Sequence, residues 1–528
     1  CASPARWYGY FISRGTHYGV SGMHVNITSG SFVAITALTL TSSALASIIH
    51  VPADQPTIQA AINAAVTNDT ILVAPGIYGD PLNFGGKPLT LISESGPNVT
   101  SIDLQVVNAS GNPSSVKRAI TIPAPLPRVA PGSTTTIDGF KITNGWGPAD
   151  PTAILGGGFH ITGGNTVIRN CVITNNRVAG QGSTSLYGRG GGLYAVNATL
   201  TIDHCVFDQN QSWSLERDSS GAGAFVVDST LLMSCTVFTS NNVNGTSCCG
   251  SPPTNSLGGA LHVSGGTAEI VNSVFAYNTL HGSNCYGGAL ACEGAGTTLN
   301  LVNCIINNNK AFDASARGGG ISARNSAVLN VSNCTIAYNS GTEGFPSAIG
   351  GIYNAATVSN SIIELNAGVQ IAPGATVTNS CVQDGYSGTG NISADPLFID
   401  AANGNFRLQD NSPCRDTGDR SLLPFDTLDL DNDGNTTELL SLDFDLNRRI
   451  VNNQVDMGAF EWQSTCLADI SPSSPGVAGD HTVNINDLTS IILAWGTTCD
   501  QCVEDITNDG LINIDDLTAV ILAWGRCP

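Results

Sequence analysis

Short apolar strands separated by polar turns recur along the chain. Four stretches align with one another: GGGFHITGGNTVIRNCVITNN (156–176), GGGLYAVNATLTIDHCVFDQN (190–210), GGALHVSGGTAEIVNSVFAYN (258–278) and GGGISARNSAVLNVSNCTIAYN (318–339). Each contains a Gly-rich turn, an apolar strand, a polar turn and a second strand of alternating residues. Strands this short cannot bury a face alone. The pattern therefore predicts coils stacked about 4.8 Å apart around a continuous core.

A small residue recurs in the middle of each predicted coil, and an asparagine usually follows five positions later. The small positions are Gly139, Cys171, Cys205, Cys235, Ser273, Cys304, Cys334, Ser361 and Ser380. The asparagines are Asn144, Asn176, Asn210, Asn278, Asn309, Asn339 and Asn366, with Asn241 displaced by one position and Gly385 in the last coil. Asparagine tolerates the left-handed backbone of a sharp corner, and its amide can bond to the next coil. We therefore expect both columns to run as straight lines along a parallel β-helix.

Coil length varies almost entirely between the asparagine turn and the next Gly-rich turn. The long connections are 177–189, 211–220, 243–257, 279–286, 310–317 and 340–349. Because each connection leaves the coil at the same point, all of them are expected at one corner of the solenoid, where they decorate one face.

The first coil is predicted to be closed by a helix. Within 51–78, a helical stretch follows Pro56, and Thr57 is a suitable N-cap residue. Such a helix would cover the open end of the solenoid, where strand edges invite pairing. This opening and the repeats resemble the pectin-lyase-like superfamily, and 391–419 and 455–462 resemble the ends of bacterial secreted members. The resemblance implies an all-β fold over 47–462, a right-handed parallel β-helix (solenoid) with an N-terminal helical cap.

After Trp462 the pattern changes to two copies of one unit, in 466–499 and 502–527. The second copy forms an EF-hand-like loop, with Asp505, Thr507, Asp509, Leu511, Asn513 and Asp516 at positions 1, 3, 5, 7, 9 and 12 and Gly510 at position 6. Calcium takes about six to eight hard oxygen ligands, and this spacing gathers them around one point. The corresponding candidates in the first copy are Asp469, Asp480, Asn484 and Asp487, but an insertion follows Asp469 and His481 replaces the glycine. The second loop is therefore predicted to be the stronger Ca2+ site.

The doubled loop-helix unit resembles a type I dockerin, with Thr507 standing where Asn or Asp is usual. The resemblance implies a small α-helical, EF-hand-like module over 463–528 that binds Ca2+ and a cohesin-like protein domain. The antiparallel helices of a dockerin favour a Cys466–Cys527 disulfide, with Cys499 and Cys502 paired locally or free. Pairing within each copy is the alternative.

Another acidic run lies within 427–438. Asp429, Asp431, Asp433 and Gly434 give it an EF-hand-like start, but Leu440 stands where a twelfth-position carboxylate would be. A solvated loop is favoured here over a Ca2+ site.

The cysteines are interpreted mainly as packing residues. The five in the small-residue column suit the inside of a coil better than a metal or disulfide ladder, because in-register parallel neighbours have poor disulfide geometry. A bridge among Cys248, Cys249 and Cys285 is possible in an oxidising compartment, because they lie in neighbouring connections.

Charge and the N-terminal region bear on location and partners. Asp and Glu number 41 against 20 Lys and Arg, for a net charge of −21. This balance disfavours nucleic acid and anionic membrane as partners, and no run after residue 50 approaches the ~20 apolar residues of a membrane span. The apolar segment in 23–46 ends in small residues, as in a secretory signal peptide. We expect 1–46 to be an upstream extension and signal peptide, and the protein to be secreted, extracellular or at the cell surface; a short strand or core helix is the alternative.

The sequence contains charged candidates for chemistry but no complete catalytic motif. Those in or near the corner connections are Arg189, Glu216, Arg217, Asp218, Glu293, Asp313, Arg317 and Glu343. The first candidates for catalysis are Arg217, Asp218, Asp313 and Arg317, because their connections share one corner. The resemblance implies binding of, or action on, extracellular polysaccharide, as a polysaccharide lyase or an O-glycosyl hydrolase. The alternatives are a noncatalytic carbohydrate-binding protein and an adhesin-like surface protein.

Overall fold

The computed structural model describes residues 46–105, 117–148, 153–179, 186–215, 217–246, 254–312, 317–341, 349–431, 433–451, 453–463, 470, 482–483, 485–498, 504–507 and 510–526. Over most of this length the strands of each coil pair in parallel with those of the coils before and after. The prediction of a parallel β-helix is confirmed. Its core is continuous and apolar, from Val51 in the first coil to Val382 in the last.

Two long parallel sheets form the body. The main sheet has 19 strands, Ile48–Val51, Thr70–Val73, Leu82–Asn83, Thr90–Ser93, Ile120–Ile122, Thr134–Asp138, Phe159–Thr162, Asn165–Arg169, Leu193–Val196, Thr199–Asp203, Ala224–Ser234, Leu261–Val271, Leu290–Val302, Ile321–Arg324, Val328–Ser332, Ile349–Tyr353, Thr357–Ser359, Val369–Ile371 and Thr376–Thr378. The second sheet has 11, Gly76–Tyr78, Thr100–Asp103, Lys141–Thr143, Val172–Thr174, Val206–Asp208, Val237–Thr239, Val274–Ala276, Ile305–Asn307, Thr335–Ala337, Ile362–Glu364 and Cys381–Val382.

The corner connections build a structure of their own, which we call the arm. It consists of two five-stranded parallel sheets. One contains Arg177–Ala179, Gln211–Leu215, Asn242–Thr246, Thr279–His281 and Lys310–Phe312; the other contains Ala153–Leu155, Tyr187–Arg189, Ser219–Ser220, Asn255–Leu257 and Asn284–Tyr286. Ala222, Val243, Leu280, Cys285 and Ala311 form a small core between them. The connections therefore do leave at one corner, as predicted, but much of their length is ordered sheet.

The small-residue column differs by one position in two coils. In register are Phe140, Cys171, Cys205, Thr236, Ser273, Cys304, Cys334, Ser361 and Ser380. Gly139 and Cys235 lie in the preceding column, whose backbone is left-handed and which also contains Asn170, His204, Asn272, Asn303, Asn333, Asn360 and Asn379. The prediction was wrong at Gly139 and Cys235 because another residue, Phe140 or Thr236, directly precedes the strand there.

The cysteines of this column do more than pack. Each hydroxyl or thiol donates to the carbonyl two residues earlier, at 3.2 Å from Cys304 Sγ to Val302 O and 2.9 Å from Ser273 Oγ to Val271 O. Burial, then the neighbouring Cys334, raises the pKa of the Cys304 thiol well above its ordinary value, so it stays protonated and can donate. Cys, Ser and Thr share the column because each is a compact donor.

The asparagine ladder is confirmed and is continuous over seven coils. It contains Asn176, Asn210, Asn241, Asn278, Asn309, Asn339 and Asn366, all buried. Each Nδ2 donates to the Oδ1 of the next, at 2.8–3.2 Å, and Gln370 accepts from the last at 2.8 Å. Asn241 stands in register, whereas Asn144 belongs to the neighbouring left-handed column with Asn175.

The N-terminal helix spans Ile58–Ala64 and packs against the first strands. Thr57 is its N-cap, with Oγ1 accepting from the Ala60 N–H at 3.1 Å. At the other end, Lys87 Nζ donates to the carbonyl of Ala65 at 2.9 Å, where a cation also suits the helix dipole. The predicted cap is confirmed.

The segment after the last coil folds back over the outer face of the second sheet. It contains the strand pair Phe398–Asp400 and Asn405–Leu408 and the short 3-10 helices Ala401–Asn403 and Arg420–Leu422. The left-handed asparagines hold it: Asn303 Nδ2 donates to Leu442 O at 2.8 Å and Asn272 Nδ2 to Asp443 O at 3.1 Å. Arg449, fully buried, donates to Asn303 Oδ1 at 2.8 Å and lies 3.4 Å from Glu461.

The C-terminal region contains the helices Ile485–Ala494 and Ile514–Leu522 and the strand pair Thr482–Val483 and Gly525–Arg526. Its small apolar core contains Ile470, Val483, Ile491, Ile512 and Val520. Cys466, Cys499, Cys502 and Cys527 lie outside the described residues, as do Cys248 and Cys249 and the predicted signal peptide. No helix among the described residues is long and apolar enough to cross a membrane.

Candidate functional site

The arm packs against the main sheet along one corner of the coils, and we call the line where they meet the corner groove. Its floor is a column of outward residues in the main sheet: His160, Tyr194, Phe225, His262, Ala291, Ser322 and Tyr353. The alternate residues, such as Phe159 and Ile161, lie in the core. Strand periodicity thus turns every second residue of each coil toward the groove.

Aromatic rings follow one another along this floor. The ring centroids are 5.2 Å apart from His160 to Tyr194, 5.8 Å from Tyr194 to Phe225 and 4.6 Å from Phe225 to His262. The row then breaks at Ala291 and Ser322 and resumes at Tyr353. The break leaves small side chains next to His262.

The wall of the groove is the arm sheet, with Leu155, Arg189, Ser220, Leu257, Tyr286 and Arg317 in register. Wall and floor are in contact. The Arg189 guanidinium lies 5.4 Å from the Phe225 ring centroid, and that of Arg324, from the main sheet, lies 3.7 Å from Tyr286. These cation–π contacts hold the arginines beside aromatic faces.

His262 lies at the centre of the groove and is 3% exposed. Neither ring nitrogen has a hydrogen-bond partner among the described residues, and Nε2 is 3.7 Å from Glu293 Oε2. Burial, helped by the charges of Arg189 and Arg324, lowers the pKa of His262 to about 3. The imidazole is therefore neutral, with one N–H donor and one nitrogen acceptor. The buried Ser322 hydroxyl also lacks a partner.

Arg217, Asp218 and Arg317, the predicted catalytic residues that the structure describes, do not meet at one point. Arg217 is exposed, 5.6 Å from the Tyr187 ring, and Arg317 lies 5.2 Å from the Tyr286 ring, three coils further along. At about 4.8 Å per strand the two are separated by about 14 Å. Asp218 holds the next connection, accepting from Asn255 N at 2.7 Å. Asp313, Glu216 and Glu343 lie outside the described residues.

Sequence reasoning identified three of the groove arginines, Arg189, Arg217 and Arg317, but missed Arg324 and the floor of the groove. Arg189, Arg317 and Glu293 were among the charged candidates. The aromatic row was not, although the aligned repeats contain its signal. The residue after the first apolar position of each coil is successively His160, Tyr194, Phe225 and His262.

A second candidate site is a cleft of about 480 Å³ at the end of the second sheet. Three carboxylates line it: Glu364, Asp384 and Asp395. Burial, against a hydrogen bond from Cys381 and together with the charges of Asp395 and Asp384, raises the pKa of Glu364 to about 7. A carboxylic acid that is partly protonated near neutral pH thus shares one cleft with two further carboxyl groups. No motif in the sequence marked it.

The second EF-hand-like loop brings its first and last carboxylates into the interior. Asp505 and Asp516 are 1% and 0% exposed. Asp505 Oδ2 accepts from Gly510 N at 2.9 Å, and Asp516 Oδ1 accepts from the Thr507 hydroxyl at 3.0 Å. Two of the predicted ligands, Thr507 and Asp516, are therefore in contact, and the Asp505 carboxylate is buried in the same loop.

The remaining predicted ligands of this loop are engaged at the helix start. Asn513 is the N-cap of the second helix, where its Oδ1 accepts from Asp515 N at 2.7 Å, and its Nδ2 donates to Leu511 O at 3.0 Å. Asp509 lies outside the described residues.

In the first loop, the buried Asp487 accepts from Ile470 N at 2.8 Å. Asp469, Asp480 and Asn484 lie outside the described residues.

The acidic run at 427–438 gathers more carboxylates than its sequence pattern indicated. The oxygens of Asp429, Asp431 and Asp433 lie within 4.8 Å of one another, as do those of Asp426, Asp431 and Glu438. Ser441 Oγ donates to Asp431 at 2.7 Å, and Gly434 N to Asp429 at 3.1 Å.

Comparisons with known proteins give distant likenesses. No family model matches the chain, and no curated protein sequence does. A crystal structure of pectate lyase Pel9A is 14% identical, over 79% of this chain and 96% of that one, with a TM-score of 0.31. The catalytic domain of a GH87 α-1,3-glucanase is 12% identical (65% and 69% covered, TM-score 0.26), and the A-module of the Azotobacter vinelandii mannuronan C-5 epimerase AlgE4 is 15% identical (61% and 94%, TM-score 0.23). The fold is assigned from the strand pairing.

The two sites offer different chemistry. The corner groove presents partly exposed guanidinium groups in one line above buried rings, which suits binding of an extended anionic ligand. The cleft presents a proton donor and carboxylates, which suits acid–base chemistry.

Proposed function

We propose that this protein is secreted and binds an anionic polysaccharide along the corner groove. The observation that carries the proposal is the line of partly exposed arginines, Arg189, Arg317 and Arg324, above the buried rings of the floor. The line runs along the solenoid axis, so a linear polymer can lie on several coils at once. Guanidinium groups bind carboxylates or sulfates with two parallel hydrogen bonds.

The charge of the groove supports the choice of an anionic ligand. The chain has a net charge of −21, yet the described residues that line the groove include four arginines, Arg189, Arg217, Arg317 and Arg324. The carboxylates near it among the described residues are Glu293, which lies 3.8 Å from Arg324, Asp218, which accepts from Asn255 N, and Asp228, whose charge acts on Tyr194. An excess of positive charge in so acidic a protein would attract an anionic chain locally.

Calorimetric titration tests this function. Oligomers of polygalacturonate or alginate should bind, neutral glucan oligomers of equal length should bind more weakly, and added salt should weaken only the anionic ligands. Arg317→Gln should weaken binding about tenfold, whereas Arg169→Gln, an exposed arginine paired with Asp138 outside the groove, should not. If neither class of glycan binds, the function is wrong; if both bind equally, only the preference for anions is wrong.

A second candidate function is hydrolysis of the glycan in the Glu364 cleft. The specific observation is the raised pKa of Glu364, about 7, beside Asp384 and Asp395. A protonated Glu364 can donate its proton to the glycosidic oxygen, while an ionised carboxylate opposite activates water or attacks the sugar. The alternative chemistry, β-elimination by a lyase, would leave an unsaturated uronide.

Reducing-end and uronide-absorbance assays on a glycan panel separate these reactions. Hydrolysis through Glu364 should release reducing ends without ultraviolet absorbance, and the rate should fall as pH rises through about 7, because the acid loses its proton there. Glu364→Gln should abolish it, and the exposed Glu94→Gln should not. Absorbance would indicate a lyase, and no products would leave the binding function alone.

We further propose that 463–528 is a dockerin-like module that binds Ca2+ and attaches the protein to a cohesin-like domain. The donor chemistry fits, because Asp505, Thr507 and Asp516 all offer hard oxygens and the last two are in contact. Leu511 and Asn513 would complete this site, and Asp487 would serve the first loop. The ion would order the loops between the two helices. The proposal that the protein is exported rests on the signal-like segment at 23–46.

A further inference from the structure

The loop that we propose for Ca2+ lies against an arginine of the β-helix. Arg448 Nη2 is 3.8 Å from Asp505 Oδ2, the carboxylate at the first loop position. The Arg448 side chain is 18% exposed and that of Asp505 is 1% exposed. Burial lowers the pKa of Arg448, while the charges of Asp505, Asp516 and Glu504 oppose this effect. The guanidinium thus shares an acidic environment with both buried carboxylates of the loop.

The β-helix fixes the position of Arg448. Its neighbour Arg449 is buried and bonded to Asn303 of the coils. Its own carbonyl accepts from Gln463 Nε2 at 2.9 Å, and its backbone pairs with Leu442. Arg448 is therefore presented to the loop by the folded-back segment, not by the loop's own module.

A calcium ion on Asp505 would lie close to this guanidinium. Like charges that share one carboxylate in a partly buried site repel strongly, because solvent screens them little there. A divalent ion and Arg448 therefore cannot both be favourable neighbours of Asp505. Because such coupling is reciprocal, whatever weakens the Arg448 contact strengthens ion binding by the same factor.

We propose that Arg448 is an internal competitor of Ca2+ for the second loop, and that ion binding separates the C-terminal module from the end of the β-helix. The inference rests on the proposed Ca2+ function. In this proposal, Ca2+ binding to the second loop replaces Arg448. The face of the C-terminal module that lay against the β-helix then becomes available to a partner.

Calcium calorimetry on the full chain tests the competition. Arg448→Gln should tighten binding at one site about tenfold, because the opposing charge is gone. The control is Arg407→Gln, which removes an ion pair with Asp445 (2.6 Å) on the same folded-back segment without touching the loop. Its affinity should equal that of the wild type.

Small-angle scattering gives a second readout. The wild type should extend on addition of Ca2+, while Arg448→Gln should be extended with chelator already. Equal Ca2+ affinity in Arg448→Gln and wild type, or equal compactness of both in chelator, would overturn the inference and leave the Ca2+ site standing. Absence of Ca2+ binding in every variant would refute the site and the inference together.

Discussion

The inner and outer faces of the main sheet follow different rules. Inside, Phe159, Leu193, Ala224 and Leu261 occupy one stacked position, and all four are apolar because each coil meets the same core. One residue further, on the outside, the same coils carry His160, Tyr194, Phe225 and His262. The inner position is apolar in every one of these coils, whereas the outer position is occupied by chemically different side chains from coil to coil.

This difference separates what holds the fold from what acts on a ligand. A buried column must be satisfied in every coil, because an unpaired polar group or a gap there costs free energy. The outer column has no such requirement where a groove or solvent accepts its side chains. A buried polar residue that does not recur from coil to coil is therefore a candidate for ligand binding. His262 is one, because its ring nitrogens have no hydrogen-bond partner among the described residues.

The largest effect is expected from breaking the inner ladder. Asn278→Ala removes the bond from Nδ2 to Asn309 (2.9 Å) and the oxygen that accepts from the Asn241 backbone N–H (3.1 Å) and from Asn241 Nδ2 (2.9 Å), although Nδ2 keeps its bond to Phe207 O. Buried groups that lose a partner cost about 1–3 kcal/mol each, so we expect a loss of about 3 kcal/mol in the free energy of unfolding. Urea denaturation followed by circular dichroism measures it.

Asn144→Gly is the matched control for the ladder. Asn144 has a left-handed backbone that glycine adopts freely, and its exposed side chain bonds only to Asp103 among the described residues. Its substitution should change stability by about 0.5 kcal/mol or less. Equal losses in the two variants would show that the ladder has no special role.

A smaller effect should distinguish the two kinds of buried cysteine. Cys304→Ser keeps a donor for Val302 O, whereas Cys304→Val loses it and should be less stable by about 1.5 kcal/mol. Cys292 stands in register with Val263 and Ala323, which have no donor, so Cys292→Val should be tolerated. Thermal unfolding of the three variants measures the difference. A tolerated Cys304→Val would mean that the column selects size alone.

The coils were predictable because their signals repeat. The ladder asparagines, the compact donors and the Gly-rich turns all recur in many coils. A wrong assignment at Gly139 or Cys235 therefore does not change the predicted fold. The N-cap at Thr57 was predictable for another reason, since it depends on local sequence alone.

The arm and the cleft could not be predicted in the same way. The arm strands differ in length and composition from coil to coil, and their pairing follows only from the stacking of the body. Glu364 is recognisable only when the last coils bring Asp384 and Asp395 to it, and the raised pKa comes from that burial. The folded-back segment depends likewise on contacts across more than 130 residues, such as Asn303 with Leu442.

The smallest expected effect is a difference in ligand affinity between variants of two groove arginines. Arg217 is exposed and its guanidinium lies 5.6 Å from the Tyr187 ring, while Arg317 is half-buried between Tyr286 and Tyr353, at 5.2 and 5.9 Å. Water and salt screen an exposed charge, and its long side chain must be ordered on binding. We therefore expect Arg217→Gln to weaken binding of an anionic oligomer by less than about threefold, against about tenfold for Arg317→Gln. Calorimetry at low and at physiological salt measures both, and the loss in Arg217→Gln should disappear at the higher salt. A larger loss in Arg217→Gln would place the ligand at the outer edge of the arm and not along the aromatic floor.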